Sequence, residues 1–187
     1  MKVNRSEQEK CQDNSGPGEP VVISESDHPI RSHDLDKEAL KVLYRLRDAG
    51  FVGYLVGGGV RDLYLGKRPK DFDISTNARP GQIRKIFRNS RTIGRRFRLV
   101  QVYFRGGKII ELSTLRSQGE YDIKDADTVL PSNNTFGTLA EDAFRRDLTI
   151  NSLFYEIENQ TIIDYVGGVK DLDQGVVRIV GEPDRRV

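Results

Sequence analysis

Regular hydrophobic patterns begin only after a long polar segment. Residues 1–33 are polar and show little periodicity, which is typical of a disordered tail or linker. Residues 34–49 then carry apolar side chains at the three- and four-residue spacing of an amphipathic helix. Ser32 or Asp34 is the expected N-cap of this helix, and Gly50 is its expected end.

Beyond this helix the pattern alternates between short strands and short helices. Helices are predicted at 60–65, 80–89 and 138–146, with a further helical piece at 147–153. Strands are predicted at 54–56, 71–75, 91–94, 98–104, 108–114, 154–157, 161–164 and 176–180. Polar residues 117–135 predict a mobile loop. Because helices and strands are interspersed and tight turns join several strands, we expect a mixed α+β sheet rather than a doubly wound parallel one.

A glycine-rich turn lies between the first of these strands and the helix that follows it. Gly57, Gly58 and Gly59 come directly after the strand, and Arg61 stands just beyond them. Glycine lets the backbone approach an anion closely, and a helix start offers free N–H groups. The turn is therefore predicted to bind the phosphates of a nucleotide, with Arg61 beside it.

Two aspartates, Asp71 and Asp73, stand further along the same segment with one apolar residue between them. If 71–75 is a strand, both carboxylates point to one face, while Phe72 and Ile74 point into a core. Mg²⁺ prefers oxygen ligands, and a pair of such ions can activate an attacking hydroxyl and stabilise a leaving pyrophosphate. The alternative is an exposed, charged strand edge. The nearby glycine turn favours a metal-dependent enzyme that acts on a nucleoside triphosphate.

A site for two metal ions usually needs a third acidic ligand, and two residues are candidates. Glu111 lies between apolar residues of a predicted strand, where a carboxylate is unusual unless it faces a polar site. Asp147 would lie one helical turn before Asn151, so that both side chains could bind sugar hydroxyls. Otherwise, Glu111 belongs to the solvent face of an antiparallel strand, and Asp147 is an N-cap. The spacing leaves both candidates open.

Two adjacent arginines, Arg145 and Arg146, precede Asp147. On a helix they would face different directions and so have separate roles. Guanidinium groups suit bidentate binding of triphosphate oxygens. The sequence supports equally well a surface helix with i,i+4 ion pairs. These pairs would be Glu141–Arg145 and Asp142–Arg146.

Positive charge is concentrated in residues 84–98. The whole chain has a formal net charge of only +2, yet this segment carries no acidic residue among its arginines and lysine. We therefore expect it to face a polyanion such as RNA. A solvated charged face is the weaker explanation, because no acidic partners are interspersed. The basic residues are Arg84, Lys85, Arg88, Arg91, Arg95, Arg96 and Arg98.

Composition excludes several other classes of protein. A chain of 187 residues is long enough for one or two domains with a genuine core. No apolar run approaches the ~18 residues of a membrane span, and the first residues lack a signal-peptide core, so no membrane association is expected. The single cysteine, Cys11, excludes an intramolecular disulfide and a cysteine-based zinc site. It suits a reducing compartment, and we expect a cytoplasmic protein.

Taken together, these motifs resemble the head region of class II nucleotidyltransferases, the family of bacterial poly(A) polymerases and CCA-adding tRNA nucleotidyltransferases. LVGGGVRD at 55–62 and DFD at 71–73 are similar to the catalytic motif of that family. RRDLTIN at 145–151 resembles its second motif. DYVGG at 164–168, followed by KDL, resembles the connector beyond the head. Several spaced motifs that agree make the resemblance specific.

Within this family the chain is more similar to the poly(A) polymerase branch. The run GRRFRLVQVYF at 94–104 and the triple glycine at 57–59 both favour that branch over the CCA-adding one. One residue departs from the pattern, because Gln101 stands where that signature is expected to carry histidine.

The resemblance implies a polymerase-β-like nucleotidyltransferase head with about five strands flanked by helices. It places the head at 34–165 and a connector at 166–187, leading toward a C-terminal helical body. It also implies roles for individual residues. Metal binding and catalysis would involve Asp71 and Asp73, with Asp147 as a further catalytic-motif residue and Glu111 as the other candidate ligand. The incoming nucleotide would be contacted by Gly57, Gly58, Arg61, Arg146 and Asn151.

The implied activity is template-independent addition of AMP from ATP to RNA 3′ ends, in mRNA or tRNA, with two Mg²⁺ ions. The alternatives are CCA addition to tRNA and a non-catalytic module that binds nucleotide or RNA. The family's base-selecting motif is expected beyond Val187, so we expect the chain to be either a fragment or a natural short form.

Overall fold

The computed structural model describes residues 18–95, 98–115 and 135–181. These residues form one mixed sheet of eight strands in the order β1-β8-β7-β2-β3-β6-β5-β4. The strands are β1 (Val21–Ile23), β2 (Gly53–Val56), β3 (Asp73–Thr76), β4 (Ser90–Ile93), β5 (Leu99–Tyr103), β6 (Ile109–Thr114), β7 (Leu153–Glu156) and β8 (Thr161–Asp164). The helices are α1 (Lys37–Asp48), α2 (Gly58–Tyr64), α3 (Pro80–Ile86), α4 (Thr135–Phe144) and α5 (Gly168–Gln174). The predicted mixed α+β class is confirmed.

The expected number of about five strands is wrong, and the predicted disorder of 1–33 is wrong for its second half. Strand β1 pairs antiparallel with β8, at the edge of the sheet. His28 and Ile30 follow it and are buried. Strand β1 is only three residues long, too short to show a period in the sequence, and backbone hydrogen bonds to the sheet edge supply its pairing. Residues 1–17 lie outside the described part of the chain.

The two faces of the sheet have different characters. One face carries the main apolar core, which includes Leu55, Ile74 and Leu112 and packs against α1 and α3. Because successive side chains of a strand point to opposite faces, Asp73 and Glu111 lie on the other face. Part of this second face is covered by α4, whose Leu139 and Ala143 join a smaller apolar cluster. The strands β3, β6 and β5 present their polar side chains there.

The start of α1 differs from the prediction. Its N-cap is Asp36, whose carboxylate accepts a hydrogen bond from the backbone N–H of Ala39 at 2.9 Å, rather than Ser32 or Asp34. Ser32–Asp34 instead forms a separate 3₁₀ turn. Gly50 follows the helix with a φ of 85°, a left-handed conformation that ends helices and favours glycine.

The predicted strand at 176–180 is not formed. Its residues make only an isolated bridge between Leu148 and Ile179, flanked by a 3.0 Å hydrogen bond from the N–H of Thr149 to the carbonyl of Arg178. The opposing segment is a short 3₁₀ turn, Thr149–Asn151, so no ladder can extend. The predicted loop at 117–135 lies almost wholly outside the described residues.

The connector packs closely on the 3₁₀ turn at Thr149–Asn151. Four backbone N–H groups at the start of α5 donate to the buried carboxylate of Asp164. Thr149 donates its hydroxyl to Asp171 at 2.6 Å. A Cβ atom on Gly168 would lie 2.2 Å from the carbonyl oxygen of Thr149, so only glycine allows this approach. Among the described residues, no helix is both long and apolar enough to span a bilayer.

Candidate active site

The backbone of the glycine turn lies between the side chains of Arg146 and Asp73. Gly57 is the N-cap of α2 and has a φ of 73° and a ψ of −145°, which strongly favours glycine. A Cβ atom on Gly57 would lie 3.6 Å from Nη1 of Arg146 and 3.9 Å from Oδ2 of Asp73. The turn therefore leaves open space between one positive and one negative side chain.

Arg61 and Asn151 meet although they are far apart in sequence. Nη1 of Arg61 donates to Oδ1 of Asn151 at 2.8 Å, and its Nε donates to Asp62 at 3.0 Å. A Cβ atom on Gly58 would lie 3.2 Å from Nη2 of Arg61, so glycine leaves room for the guanidinium. The structure thus brings together Gly58, Arg61 and Asn151, three of the residues assigned to nucleotide binding.

Asp73 and Glu111 are side by side in the sheet. Strand β3 pairs with β6 in parallel, and Asp73 is the register partner of Glu111. The pKa of Asp73 is raised, first because the surrounding protein removes its carboxylate from part of its water, and then by the negative charges of Glu111 and Asp71. Arg146 opposes this shift. The two carboxylates therefore lie together without enough positive charge nearby to cancel their repulsion.

Asp71 lies before the start of β3, on an exposed stretch of chain. The predicted strand at 71–75 begins two residues late, so the alternation that would align Asp71 with Asp73 does not apply. Asp71 nevertheless acts electrostatically on Asp73. In the described parts of the chain, no three histidine, cysteine or acidic side chains converge closely enough to form a ready-made metal cluster.

Asp147 occupies a different environment from the other carboxylates. Its side chain is exposed and accepts the backbone N–H of Leu148 at 2.8 Å. Leu148 has an extended backbone, with φ −116° and ψ 141°. The expectation that Asp147 and Asn151 lie one helical turn apart is therefore wrong. Of the two candidates for a third carboxylate, Glu111 is the one placed next to Asp73.

Arg145 and Arg146 share one partner, the buried carboxylate of Asp142. Nε of Arg145 donates to Oδ1 at 2.8 Å, and Nη2 of Arg146 donates to Oδ2 at 3.0 Å. The prediction that the two arginines have separate directions is wrong, because α4 ends at Phe144 and both arginines lie beyond it. The predicted ion pair Asp142–Arg146 is present, whereas Arg145 pairs with Asp142 rather than Glu141.

Asp142 holds Arg146 over the site. The guanidinium of Arg146 lies 5.7 Å from the ring centroid of Phe154, and its Nη2 lies 3.5 Å from the hydroxyl of Ser75. Ser75 is on the same face of β3 as Asp73. Sequence reasoning found the Asp142–Arg146 spacing but gave it no functional role, because periodicity could not show that Asp142 is 0% exposed.

The basic segment lies on α3, on β4 and in the connections that flank β4. Its described members are all exposed to solvent, and Arg96 lies outside the described residues. Strand β4 is the edge of the sheet, paired only with β5. Arg91 is the register partner of Gln101 and lies at the edge of the face that carries Asp73 and Glu111, whereas Arg84 and Lys85 belong to α3, on the opposite face. The described members of the segment are Arg84, Lys85, Arg88, Arg91, Arg95 and Arg98.

Comparison with known proteins agrees with this geometry. Residues 53–178 match the family model described as the poly(A) polymerase head domain, a match that includes the glycine turn, both aspartates and the connector helix. The chain belongs to the poly(A) polymerase head-domain family. The resemblance to class II nucleotidyltransferases is thereby confirmed.

Relatives of this head domain fall in both branches of the family. Poly(A) polymerase I of Salmonella typhi is 52% identical over 173 residues, which cover 89% of this chain and 37% of that protein. The CCA-adding enzyme of Bacillus subtilis (strain 168) is 38% identical over 150 residues, covering 80% of this chain and 36% of that enzyme. The crystal structure of Bacillus stearothermophilus CCA-adding enzyme in complex with CTP has a TM-score of 0.65 and 34% identity, covering 80% of this chain and 34% of that one.

Replacing Asp142 should destabilise the fold measurably. In Asp142→Ala, Arg145 and Arg146 lose their shared buried partner, but their side chains keep 31% and 17% exposure and can partly rehydrate. We therefore expect a loss of about 1–3 kcal/mol in the free energy of unfolding, measured by urea denaturation. Glu141→Ala, on the neighbouring half-exposed residue, should change it by less than about 0.5 kcal/mol. Equal losses in the two variants would contradict the account.

Replacing Asp73 should stabilise the metal-free protein. A carboxyl group whose pKa is raised by folding binds its proton more tightly in the native state, so stability falls as pH rises above the group's unfolded pKa of about 4. Asp73→Asn removes that ionisation. In EDTA its melting temperature should exceed that of the wild type at pH 7, and the difference should shrink as the pH approaches 4. A lower melting temperature at pH 7 would count against the crowded-carboxylate description.

Proposed function

We propose that this chain is the catalytic head of an RNA nucleotidyltransferase that adds AMP from ATP to RNA 3′ ends. One observation carries the proposal: the guanidinium of Arg146 and the carboxylate of Asp73 both lie beside Gly57, and Asp73 is the register partner of Glu111. Nucleotidyl transfer needs this combination, because the triphosphate is anionic and its metal ions require carboxylate oxygens. The chain spans 37% of the length of the poly(A) polymerase I relatives.

The carboxylates fit a divalent cation. Asp73 is crowded by Glu111 and Asp71, and the charge of Arg146 opposes that repulsion only in part. The residues that would hold metal are Asp71, Asp73 and Glu111, with Asp147 as the other candidate carboxylate. Two Mg²⁺ ions would supply activation of the RNA 3′-hydroxyl and charge stabilisation for the leaving pyrophosphate. Asp71 would have to turn toward its neighbours to complete such a set.

The remaining groups position the nucleotide. Backbone N–H groups at the start of α2 and the guanidinium of Arg146 would bind phosphate oxygens, because both are donors that lie beside Gly57. Arg61 and Asn151 hold each other at 2.8 Å and would bind the nucleotide as a unit. The 3′-oxygen of the RNA then attacks the α-phosphorus, the bond to pyrophosphate breaks, and the hydroxyl proton leaves to solvent.

Sequence similarity favours ATP and poly(A) addition over CCA addition. Poly(A) polymerase I of Salmonella typhi is 52% identical to this chain over the aligned residues, whereas the CCA-adding enzyme of Bacillus subtilis is 38% identical. RNA is the proposed second substrate because the basic segment is exposed and its Arg91 lies at the edge of the face that carries the site. The cytoplasm is the proposed compartment, because a chain with a single cysteine suits a reducing environment.

The carboxylates should be essential for transfer. With an RNA oligomer, ATP and Mg²⁺, Asp73→Ala and Asp71→Ala should each lower the rate of 3′ extension by at least about 10³-fold, because each removes charge stabilisation worth several kcal/mol. Circular dichroism should show an intact fold in both variants. Asp48→Ala, an exposed residue at the end of α1, serves as the matched control. Extension by a double Asp71/Asp73 variant would refute the assignment.

The same assay separates the alternatives. A tRNA lacking its 3′ end is compared with a generic RNA oligomer, with ATP alone and with ATP plus CTP. The proposal expects ATP addition to both RNAs. CTP incorporation restricted to the tRNA would establish the CCA-adding alternative. Binding of Mg·ATP without any extension would instead establish a non-catalytic module.

Loss of one arginine in the basic segment should weaken RNA binding in a salt-dependent way. Arg91→Ala, in β4, should make the negative slope of log affinity against log salt shallower by about 0.7, as expected for one lost phosphate contact with single-stranded RNA. Lys41→Ala removes an exposed charge from α1, which packs on the opposite face of the sheet, and should leave the slope unchanged. Fluorescence anisotropy of labelled oligo(A) across a salt series measures both. Identical slopes in the two variants would remove the basic segment from the RNA-binding surface.

A further inference from the structure

A row of polar side chains crosses four strands of the open sheet face. Arg91 of β4 is the register partner of Gln101 of β5, Gln101 is the partner of Glu111 of β6, and Glu111 is the partner of Asp73 of β3. Their sequence neighbours point to the other face, where those of β5 and β6 are buried in the core. The row therefore links the edge strand to the carboxylates, and Gln101 lies next to Glu111 within it.

Gln101 binds Glu111 in a fixed orientation. Its Nε2 donates to Oε1 of Glu111 at 2.7 Å, and its own Oε1 accepts the phenolic hydroxyl of Tyr103 at 2.9 Å. A carboxamide has one accepting and one donating end. Because Tyr103 takes the accepting end, the NH₂ group must face the carboxylate. Reversing the amide would set its oxygen against the carboxylate and leave the tyrosine hydroxyl without this acceptor.

Glu111 accepts its hydrogen bond from a neutral amide, which does not cancel the negative charge of the carboxylate. Asp142 of α4 has both oxygens bound by guanidinium groups, and its charge is cancelled locally. Glu111 has no such ion pair within the described residues, and its Oε2 accepts no hydrogen bond from them. An amide hydrogen bond therefore orients Glu111 and leaves its negative charge and one oxygen available to a cation.

We propose that Gln101 and Tyr103 are positioning residues that hold Glu111 in the orientation in which it binds a divalent cation. This rests on the proposed function of the site, which gives Glu111 its metal. Ligating carboxylates are generally fixed by hydrogen bonds from outside the coordination sphere. A neutral imidazole would offer a similar pair of groups, one N–H donor and one acceptor.

Binding of Mn²⁺ to the metal-free chain tests the proposal without reference to catalysis. Free Mn²⁺ is followed by electron paramagnetic resonance during titration of the wild type and its variants. Gln101→Leu should weaken Mn²⁺ affinity by about tenfold or more, the usual effect of losing a residue that orients a ligand. Tyr103→Phe, which frees the amide to rotate, should weaken it by about threefold. Gln101→His should restore affinity to within about threefold of wild type.

The matched control is Gln174→Leu, which removes an exposed amide at the end of α5 and should leave Mn²⁺ affinity unchanged. A folded Gln101→Leu protein with wild-type affinity would overturn the proposal, and so would a wild type that binds no Mn²⁺. If Gln101→Leu does not fold, Tyr103→Phe decides, and an unchanged affinity in that variant overturns the proposal.

The extension assay separates this outcome from failure of the proposed function. A chain that extends RNA but whose Mn²⁺ affinity is insensitive to Gln101 and Tyr103 refutes the positioning role alone. A chain that binds Mn²⁺ in a Gln101-dependent way but transfers no nucleotide supports the positioning role and refutes the proposed activity.

Discussion

The parallel pairing of β3 with β6 is the constraint on which the site depends. It sets Asp73 directly beside Glu111, and the resulting repulsion, added to partial loss of water, raises the pKa of Asp73. Like charges directly opposite one another destabilise a sheet. The cost is offset by the apolar face of the same strands, where Ile74 and Leu112 are wholly buried. Stability supplied by the apolar face thus permits charge crowding on the other.

The two arginines nearest the glycine turn are themselves restrained. Arg146 is held by Asp142, which is fully buried, and Arg61 is held by Asn151. The turn that carries Asn151 is fixed in turn by α5, through the Thr149–Asp171 hydrogen bond. The connector is therefore part of the architecture of the site. A preorganised arrangement of this kind needs little rearrangement when an anionic substrate arrives.

Much of the site was visible in the sequence, because local rules govern its parts. Glycine at a positive φ and an acidic pair beside a strand are signals that act over a few residues. The predictions that were wrong depended on tertiary structure. Strand β1 pairs with an edge formed about 140 residues later, and the arginines escape helical geometry because α4 ends before them. Glu111 could be chosen over Asp147 as the neighbour of Asp73 only once the register of β3 and β6 was known.

The central claim is that the carboxylate pair favours ATP only when a divalent cation is bound between them. Isothermal titration calorimetry of the chain with ATP, in excess Mg²⁺ and in EDTA at the same pH and ionic strength, tests it most directly. The account predicts binding at least about tenfold tighter with Mg²⁺, a difference of about 1.4 kcal/mol, because bare triphosphate would be repelled by Asp73 and Glu111. Equal or tighter binding in EDTA would contradict it.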